Sequence, residues 1–340
     1  MNEITCVLSP NVGRVLSAVA AGEDMTKLEI RERTALSMTT VIGAVDALCA
    51  AGLVTFEEVR GEHGGKMRSV INPHPDRRVY GISYQSGVLT AVAADLRGEM
   101  RESLSKEVGD EIPSESVTSL AYALKERAPV PAAVALSLNC EGRGSLLERL
   151  SDILGAPCVG TSGAEGIAHL ALWRGAPLPI AVIGIGSHVK CALLSESESR
   201  SFDMGSLDCP RILTREGDYR AALSAEVVEE ILRGSRYRGM MLAEGSRIRE
   251  IRDLADYSRA LALSISSLVR IAEVTLAPRR IVLYGDYLSE AFCDRIGGEG
   301  EISYLRAERE DLALGSALCA MRRVFSLSPP AHTERTVPTE

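Results

Sequence analysis

Thr26-Lys27-Leu28-Glu29-Ile30-Arg31-Glu32-Arg33-Thr34, then Ala35-Leu36-Ser37, then Met38-Thr39-Thr40-Val41-Ile42-Gly43-Ala44-Val45 reads as helix, tight turn and second helix. Leu28, Ile30, Leu36, Val41, Val45 and Leu48 are expected to form one buried side of this pair. Ser37 carries an oxygen suited to capping the second helix by accepting from a free backbone N–H. Ala50-Ala51-Gly52-Leu53-Val54 ends that helix on a glycine and opens a strand. Strands over Leu53–Arg60 and Met67–Asn72 flank the turn Gly61-Glu62-His63-Gly64-Gly65-Lys66, whose paired glycines supply the positive φ of a wing turn. Residues 26–72 therefore predict a winged helix-turn-helix, a module that lays its second helix in the major groove of DNA.

Charge qualifies that reading. Residues 1–72 hold seven Lys and Arg against nine Asp and Glu, a net of −2, whereas DNA affinity draws on phosphate neutralisation. The cations are nevertheless placed asymmetrically, with Arg31 and Arg33 on the first helix and Arg60, Lys66 and Arg68 on the wing. At the start of the second helix Met38, Ile42 and Gly43 offer no side-chain hydrogen bonds, which leaves Thr39 and Thr40 as polar contacts. Apolar contact with thymine methyls suits this helix better than bidentate guanine recognition. The DNA-contacting set is thus expected to be Arg31, Arg33, Ser37, Met38, Thr39, Thr40, Gly43, Lys66 and Arg68.

A chain of 340 residues, 46% hydrophobic and 25% charged, predicts about two soluble domains. No run approaches a membrane span and no signal peptide is evident, so the expected location is the cytoplasm. Eight scattered cysteines without a CxxC pair predict reduced, mostly buried thiols rather than disulfides or a zinc knuckle. The net charge of −8 argues against general nucleic-acid affinity but leaves room for a local basic face.

After the connector 73–78, apolar strands alternate with helices. Val79–Ile82 and Val88–Ala94 predict a hairpin turning near Gln85-Ser86-Gly87. A helix over Ser114–Glu126, a buried strand over Ala132–Leu138 and a helix over Ser145–Leu154 follow. Pro179–Gly184 and Val189–Leu194 predict a second strand pair around Gly186-Ser187-His188. Helices over Ser224–Arg233 and Ile251–Leu276 precede a strand at Arg280–Gly285. The last helix, Asp311–Val324, is expected to pack through Leu312, Leu314, Ala317 and Met321, before a disordered tail over residues 326–340. The pattern is that of an α/β architecture with helix-covered sheets.

From about Val12 to Phe325 the order of parts resembles the ROK family of repressors, open reading frames and sugar kinases. Leu36-Ser37-Met38-Thr39-Thr40-Val41, Val45-Asp46-Ala47-Leu48, Ala51-Gly52-Leu53-Val54 and Gly64-Gly65-Lys66 resemble its helix-turn-helix and glycine-rich wing. Gly184-Ile185-Gly186, Ile281–Gly285 and Gly315-Ser316-Ala317-Leu318 are similar to its second domain. The resemblance implies an actin-like, two-lobed ATPase fold over residues 79–325 behind a reader over residues 1–72.

The departures from the family matter more. Its kinases open this domain with Asp-Ile-Gly-Gly-Thr, where this chain has Ser83-Tyr84-Gln85-Ser86-Gly87. Its second phosphate loop becomes Gly184-Ile185-Gly186-Ser187-His188-Val189-Lys190, with too few glycines for a nest of inward N–H groups. Asn-Asp-Ala-Asn, which carries the general base, becomes Gly163-Ala164-Glu165-Gly166. The His and three Cys of its zinc site face Phe202–Cys209, with no His and one Cys, and its sugar loop becomes Asn139-Cys140-Glu141-Gly142-Arg143-Gly144. The expectation is therefore a regulator from the transcriptional branch of the family, with a degenerate, pseudokinase-like sensor and oligomerisation domain. No catalytic residue, metal or cofactor is expected. Operator DNA, an unidentified small-molecule effector and a second copy of the chain are the expected partners, with no membrane. Glu165, Ser187 and His188 are the candidate effector contacts, and Glu165 with His169 is read as an i,i+4 surface pair rather than a metal pair. An active sugar kinase and a scaffold that does not bind DNA are the alternatives.

Overall fold

The computed structural model describes residues 8–60, 67–85, 87–109, 112–138, 142–185, 189–203, 213–214, 217–218, 269–270, 272–274, 276–285, 301–305 and 307–327. Two compact units result, one ending at Thr161 and resuming at Leu312, the other spanning Ser162–Asp311. The helix expected at 224–233 and the tail from Ser328 lie outside the described residues, and of the helix expected at 251–276 the described residues 269–270, 272–274 and 276 are helical.

The first unit begins with three helices, α1 (Pro10–Ala21), α2 (Lys27–Thr34) and α3 (Met38–Ala50), and the antiparallel pair β1 (Val54–Arg60) and β2 (Met67–Pro73). Pro10 at the first turn of α1 costs no hydrogen bond, because that N–H would lack an intrahelical partner anyway. α1 buries Val15, Leu16, Ala18, Val19 and Ala20, and α3 buries Val41, Ala44, Val45 and Leu48. Ile30 is buried as expected, but Leu28 is 48% exposed. The reason is angular: residues two apart on a helix point about 200° away from each other, so Leu28 cannot share the buried side of Ile30.

A five-stranded sheet follows, in the order β5-β4-β3-β6-β7. Its strands are β3 (Arg77–Gln85), β4 (Val88–Ala94), β5 (Met100–Glu107), β6 (Val130–Ser137) and β7 (Cys158–Gly160). β3, β4 and β5 form an antiparallel meander, and β6 and β7 extend it in parallel from β3. One face carries Tyr80, Ile82, Leu89, Val134 and Leu136 against Val117, Leu120 and Leu124 of α4 (Ser114–Arg127) and Leu146, Leu150 and Leu154 of α5 (Arg143–Leu154). The final helix α7 (Arg309–Phe325) returns from Leu312 onward to this unit and meets β3 at Gly81. Leu312, Ala317 and Met321 of α7 are buried, whereas Leu314 is half-buried.

The second unit repeats the plan. Its sheet runs β10-β9-β8-β13-β14, again a meander whose first strand continues in parallel to two more. The strands are β8 (Ile180–Ile185), β9 (Val189–Leu194), β10 (Ser199–Asp203), β13 (Arg280–Tyr284) and β14 (Glu301–Tyr304). The short pair β11 (Leu213–Thr214) and β12 (Gly217–Asp218) stands apart from it. α6 (Gly163–Trp173) precedes β8, and every residue from Ala164 to Trp173 is buried. Among the described residues Cys49, Cys158, Cys191 and Cys319 form no disulfide; Cys49 is exposed, and burial pushes the Cys158 thiol up to about 12.

Candidate nucleic-acid interface

Each helix of the helix-turn-helix is fixed at its start by a side-chain cap. At α2 the Glu29 Oε2 accepts from Thr26 N and Thr26 Oγ1, both at 2.7 Å, while Glu29 N donates to Thr26 Oγ1 at 3.3 Å. This capping box satisfies two otherwise orphaned donors. Those bonds hold the Glu29 carboxyl below its ordinary value. A lowered folded value means that its contribution is present above the unfolded value of about 4.3 and is lost as pH falls through the folded one. The melting difference between wild type and Glu29→Gln is accordingly expected at neutral pH and should vanish in acid; a difference that persists at pH 2 would show that the carboxylate is not its source.

Ala35 then takes a left-handed conformation at φ 52°, which turns the chain within three residues into α3. Ser37 caps α3 by accepting from Thr40 N at 3.1 Å, as its position predicts. Its hydroxyl also lies 2.8 Å from Thr40 Oγ1, so the Thr40 hydroxyl is already engaged in the cap. Thr39, Ile42, Gly43, Asp46 and Ala47 are exposed on one side of α3, and Met38 is half-buried. Asp46 was absent from the predicted set, although its three- and seven-residue spacing from Gly43 and Thr39 places it on their side. A β-carbon on Gly43 would meet nothing within 4 Å, so this side of the helix is open.

Exposed cations lie on the neighbouring elements α2, β1 and β2. Arg31 and Arg33 are exposed in the last turn of α2, Arg31 lying 3.9 Å from Glu32. Arg68 is exposed on β2 and donates to the Asp24 carbonyl at 3.4 Å; Arg60 is exposed at the end of β1. Phe56 on β1 is 47% exposed, with the Lys27 ammonium 5.3 Å from its ring centre. The wing turn 61–66, with Lys66, and the loop residues Ser187 and His188 lie outside the described residues.

Elsewhere, three stretches singled out by the family resemblance are arranged as follows. The β3–β4 hairpin is tied to the residues that follow β5: Tyr84 Oη donates to the Gly109 carbonyl at 2.8 Å, and the Gly87 carbonyl accepts from Val108 N at 2.8 Å and Gly109 N at 3.1 Å. In the β8–β9 hairpin, the ring of the buried Tyr284 lies against Gly184, where a β-carbon would approach it to 2.5 Å. Glu165 and His169 are not a surface pair: they are 2% and 1% exposed, and Glu165 Oε1 accepts from Ser199 Oγ at 2.6 Å. The correction follows from α6, whose apolar residues surround the helix instead of forming a stripe.

No protein-family model matches this chain, and no curated protein matches it. Solved structures do match. A ROK family transcriptional regulator, a homologue of the E. coli Mlc protein, superposes with a TM-score of 0.67 at 13% identity, over 93% of this chain and 96% of its own. A ROK glucokinase from Streptomyces griseus, solved with glucose and AMPPNP, gives 0.57 at 15% identity, over 72% of this chain and 99% of its own. A ROK hexokinase from Thermus thermophilus gives 0.55 at 13%, over 72% and 97%. The regulator's coverage leaves too little of this chain unmatched to omit the reader, whereas the kinases' coverage leaves room to omit it. The structural neighbours are thus ROK proteins, and the fold is a helix-turn-helix joined to an actin-like, kinase-type α/β architecture.

Proposed function

We propose that this chain is a DNA-binding transcriptional regulator whose two-unit α/β portion senses a ligand or assembles copies and does not transfer phosphate. The capped α2-turn-α3, with an open side on α3 and exposed Arg31, Arg33 and Arg68 on α2 and β2, is the observation that carries the reading. In this reading the exposed Thr39 and Gly43 are the α3 residues that meet bases, while Ser37 and Thr40 commit hydrogen-bonding capacity to the cap. Lys66 completes the proposed phosphate contacts from the wing. With so few cations, one reader binds weakly, and two copies on two half-sites multiply the affinity through effective concentration. An effector shifts such a system only by preferring one arrangement of the protein over another. Glu165, Ser187 and His188 remain the proposed effector contacts, Glu165 acting from a buried position. The tied Tyr84 hairpin and the buried Glu165 support a portion without kinase activity, since phosphoryl transfer depends on positioned phosphates, metal and base.

Fluorescence anisotropy of the whole protein with DNA from upstream of its own gene, titrated over salt, tests the reading. Saturable binding that exceeds scrambled DNA and weakens with salt is expected. Absence of binding at low salt would remove DNA from the proposal and leave Ile42, Leu28 and Phe56 as surfaces for a protein partner. With ATP, magnesium and a panel of hexoses, ADP should not rise above a control without sugar.

Gly43→Ala separates stability from recognition. Alanine in an exposed helix interior is favoured over glycine by about 1 kcal/mol, and Gly43 has open space around it. The variant should melt higher yet bind DNA more weakly, because the added methyl keeps the backbone of α3 from the groove. Raised stability with unchanged affinity would take Gly43 out of the contact surface.

A further inference from the structure

Each of the three reader helices ends on carbonyls bonded by an arginine from another element. Arg14 of α1 donates from Nη2 to the Thr34 carbonyl at the end of α2, at 2.5 Å. Arg97 donates from Nη1 to the Ala20 and Gly22 carbonyls at the end of α1, at 2.9 and 2.6 Å. Arg77 donates from Nε to the Gly52 carbonyl at 2.9 Å and from Nη2 to the Ala51 carbonyl at 3.3 Å, at the end of α3. The last carbonyls of a helix lack intrahelical partners and carry its negative end, so a guanidinium is doubly favoured there.

Arg14 belongs to the reader itself. Arg77 and Arg97 belong to the five-stranded sheet of the same unit: Arg77 opens β3, and Arg97 lies in the β4–β5 turn. That turn is itself fixed, because the buried Asp95 accepts from Arg97 N at 2.9 Å, Glu99 N at 3.0 Å and Arg101 Nε at 2.8 Å. The connector adds little slack. Pro73 still pairs with Val54, His74 N donates to the Leu53 carbonyl at 2.9 Å, and β3 begins at Arg77. At the opposite end of α1, Gly13 lies against the Phe325 carbonyl that closes α7.

We infer that Arg77 and Arg97 are positioning residues that seat the reader on the first sheet, so that α3 and β3 turn as one body. Whatever displaces the sheet then carries α3 by the same rotation, and the signal to DNA needs no independent movement of the reader. The consequence for DNA rests on the proposed function; the seating does not.

Hydrogen exchange on the full-length protein tests it, comparing wild type with Arg77→Gln/Arg97→Gln and with Arg14→Gln. In the double variant the amides of α1 and α3 should exchange at least tenfold faster, while β3, β4 and β6 keep their wild-type rates. Arg14→Gln should speed α2 and leave α1 seated. Unchanged exchange in α1 and α3 would overturn the inference, and so would equal acceleration of β3, β4 and β6, which would make the arginines ordinary contributors to unit stability. A spin-label pair on α3 and α4 gives a second readout: its distance distribution should broaden in the double variant, and an unaltered distribution counts against the seat. Both measurements are made without DNA. A wild type that fails to bind DNA would sink the functional reading and leave this one intact.

Discussion

Gly81→Ala is expected to prevent the first unit from folding as described. A β-carbon at Gly81 would lie 1.8 Å from the Ala313 carbonyl oxygen and 2.7 Å from Ala317 N. Both are main-chain atoms of α7, so no rotamer change relieves the clash. α7 cannot retreat cheaply either, because Leu312, Ala313, Ala317, Leu318 and Met321 are buried along it. Overpacking of a core costs about 1–3 kcal/mol and occasionally more, and a contact this short with backbone belongs at the upper end or beyond. That is a large share of the roughly 5–15 kcal/mol that holds a domain folded. Soluble yield and urea denaturation measure it, and Ala313→Gly should not rescue the variant because it leaves the clashing atoms in place. A midpoint equal to wild type would mean that α7 does not lie against β3.

That contact lies beyond what spacing alone can reveal. The helix-turn-helix was legible because its signals are local: Thr26 with Glu29, Ser37 before α3 and Gly52 after it act within a few residues of each other. The β3–β4 and β8–β9 hairpins were legible for the same reason, as apolar runs broken by glycine. β5 was missed because Met100–Glu107 is mostly polar and charged, lies at a sheet edge and becomes a strand only when β4 supplies its partners. β7 is three residues long and, among the described residues, pairs only with β6, too short for any periodicity. α1 was not singled out either. It lacks an acidic first turn and a side-chain cap, and its apolar residues are buried through tertiary packing.

The same distinction runs through the site. Ser37, Thr39 and Gly43 could be placed from helical spacing, and so could Asp46 had the side shared with Gly43 been followed one turn further. The engagement of Thr40 with Ser37 depends on a hydroxyl orientation that the sequence does not encode visibly. Burial of Glu165 and His169 had a signal, since Gly163–Trp173 is apolar on every side and such a helix belongs inside. Arg77 and Arg97 had none. Their partners lie 25 to 77 residues away, and an arginine at the start of a strand or in a turn is ordinary until its acceptors are known.

Gly13→Ala should lower the stability of the protein, although the identical change at Gly43 should raise it. Both glycines sit inside helices, where alanine is worth about 1 kcal/mol more by propensity, so sequence alone assigns them the same sign. The surroundings differ. A β-carbon on Gly13 would lie 2.6 Å from both the Phe325 carbonyl oxygen and the Ser326 β-carbon, against open space at Gly43. Phe325 is the last residue of α7 and buried, and Ser326 is held at φ 53°, so the chain there has little freedom to step aside. Overpacking of about 1–3 kcal/mol outweighs the propensity gain, and the net loss should lower the melting temperature by a few degrees. The loss should also be concentrated in α1, with faster hydrogen exchange there than in β3 or β4, because the clash lies where the reader meets the end of α7. If Gly13→Ala instead melts higher, as Gly43→Ala is expected to, α1 does not rest on α7, and the seating of the reader would depend on Arg77 and Arg97 alone.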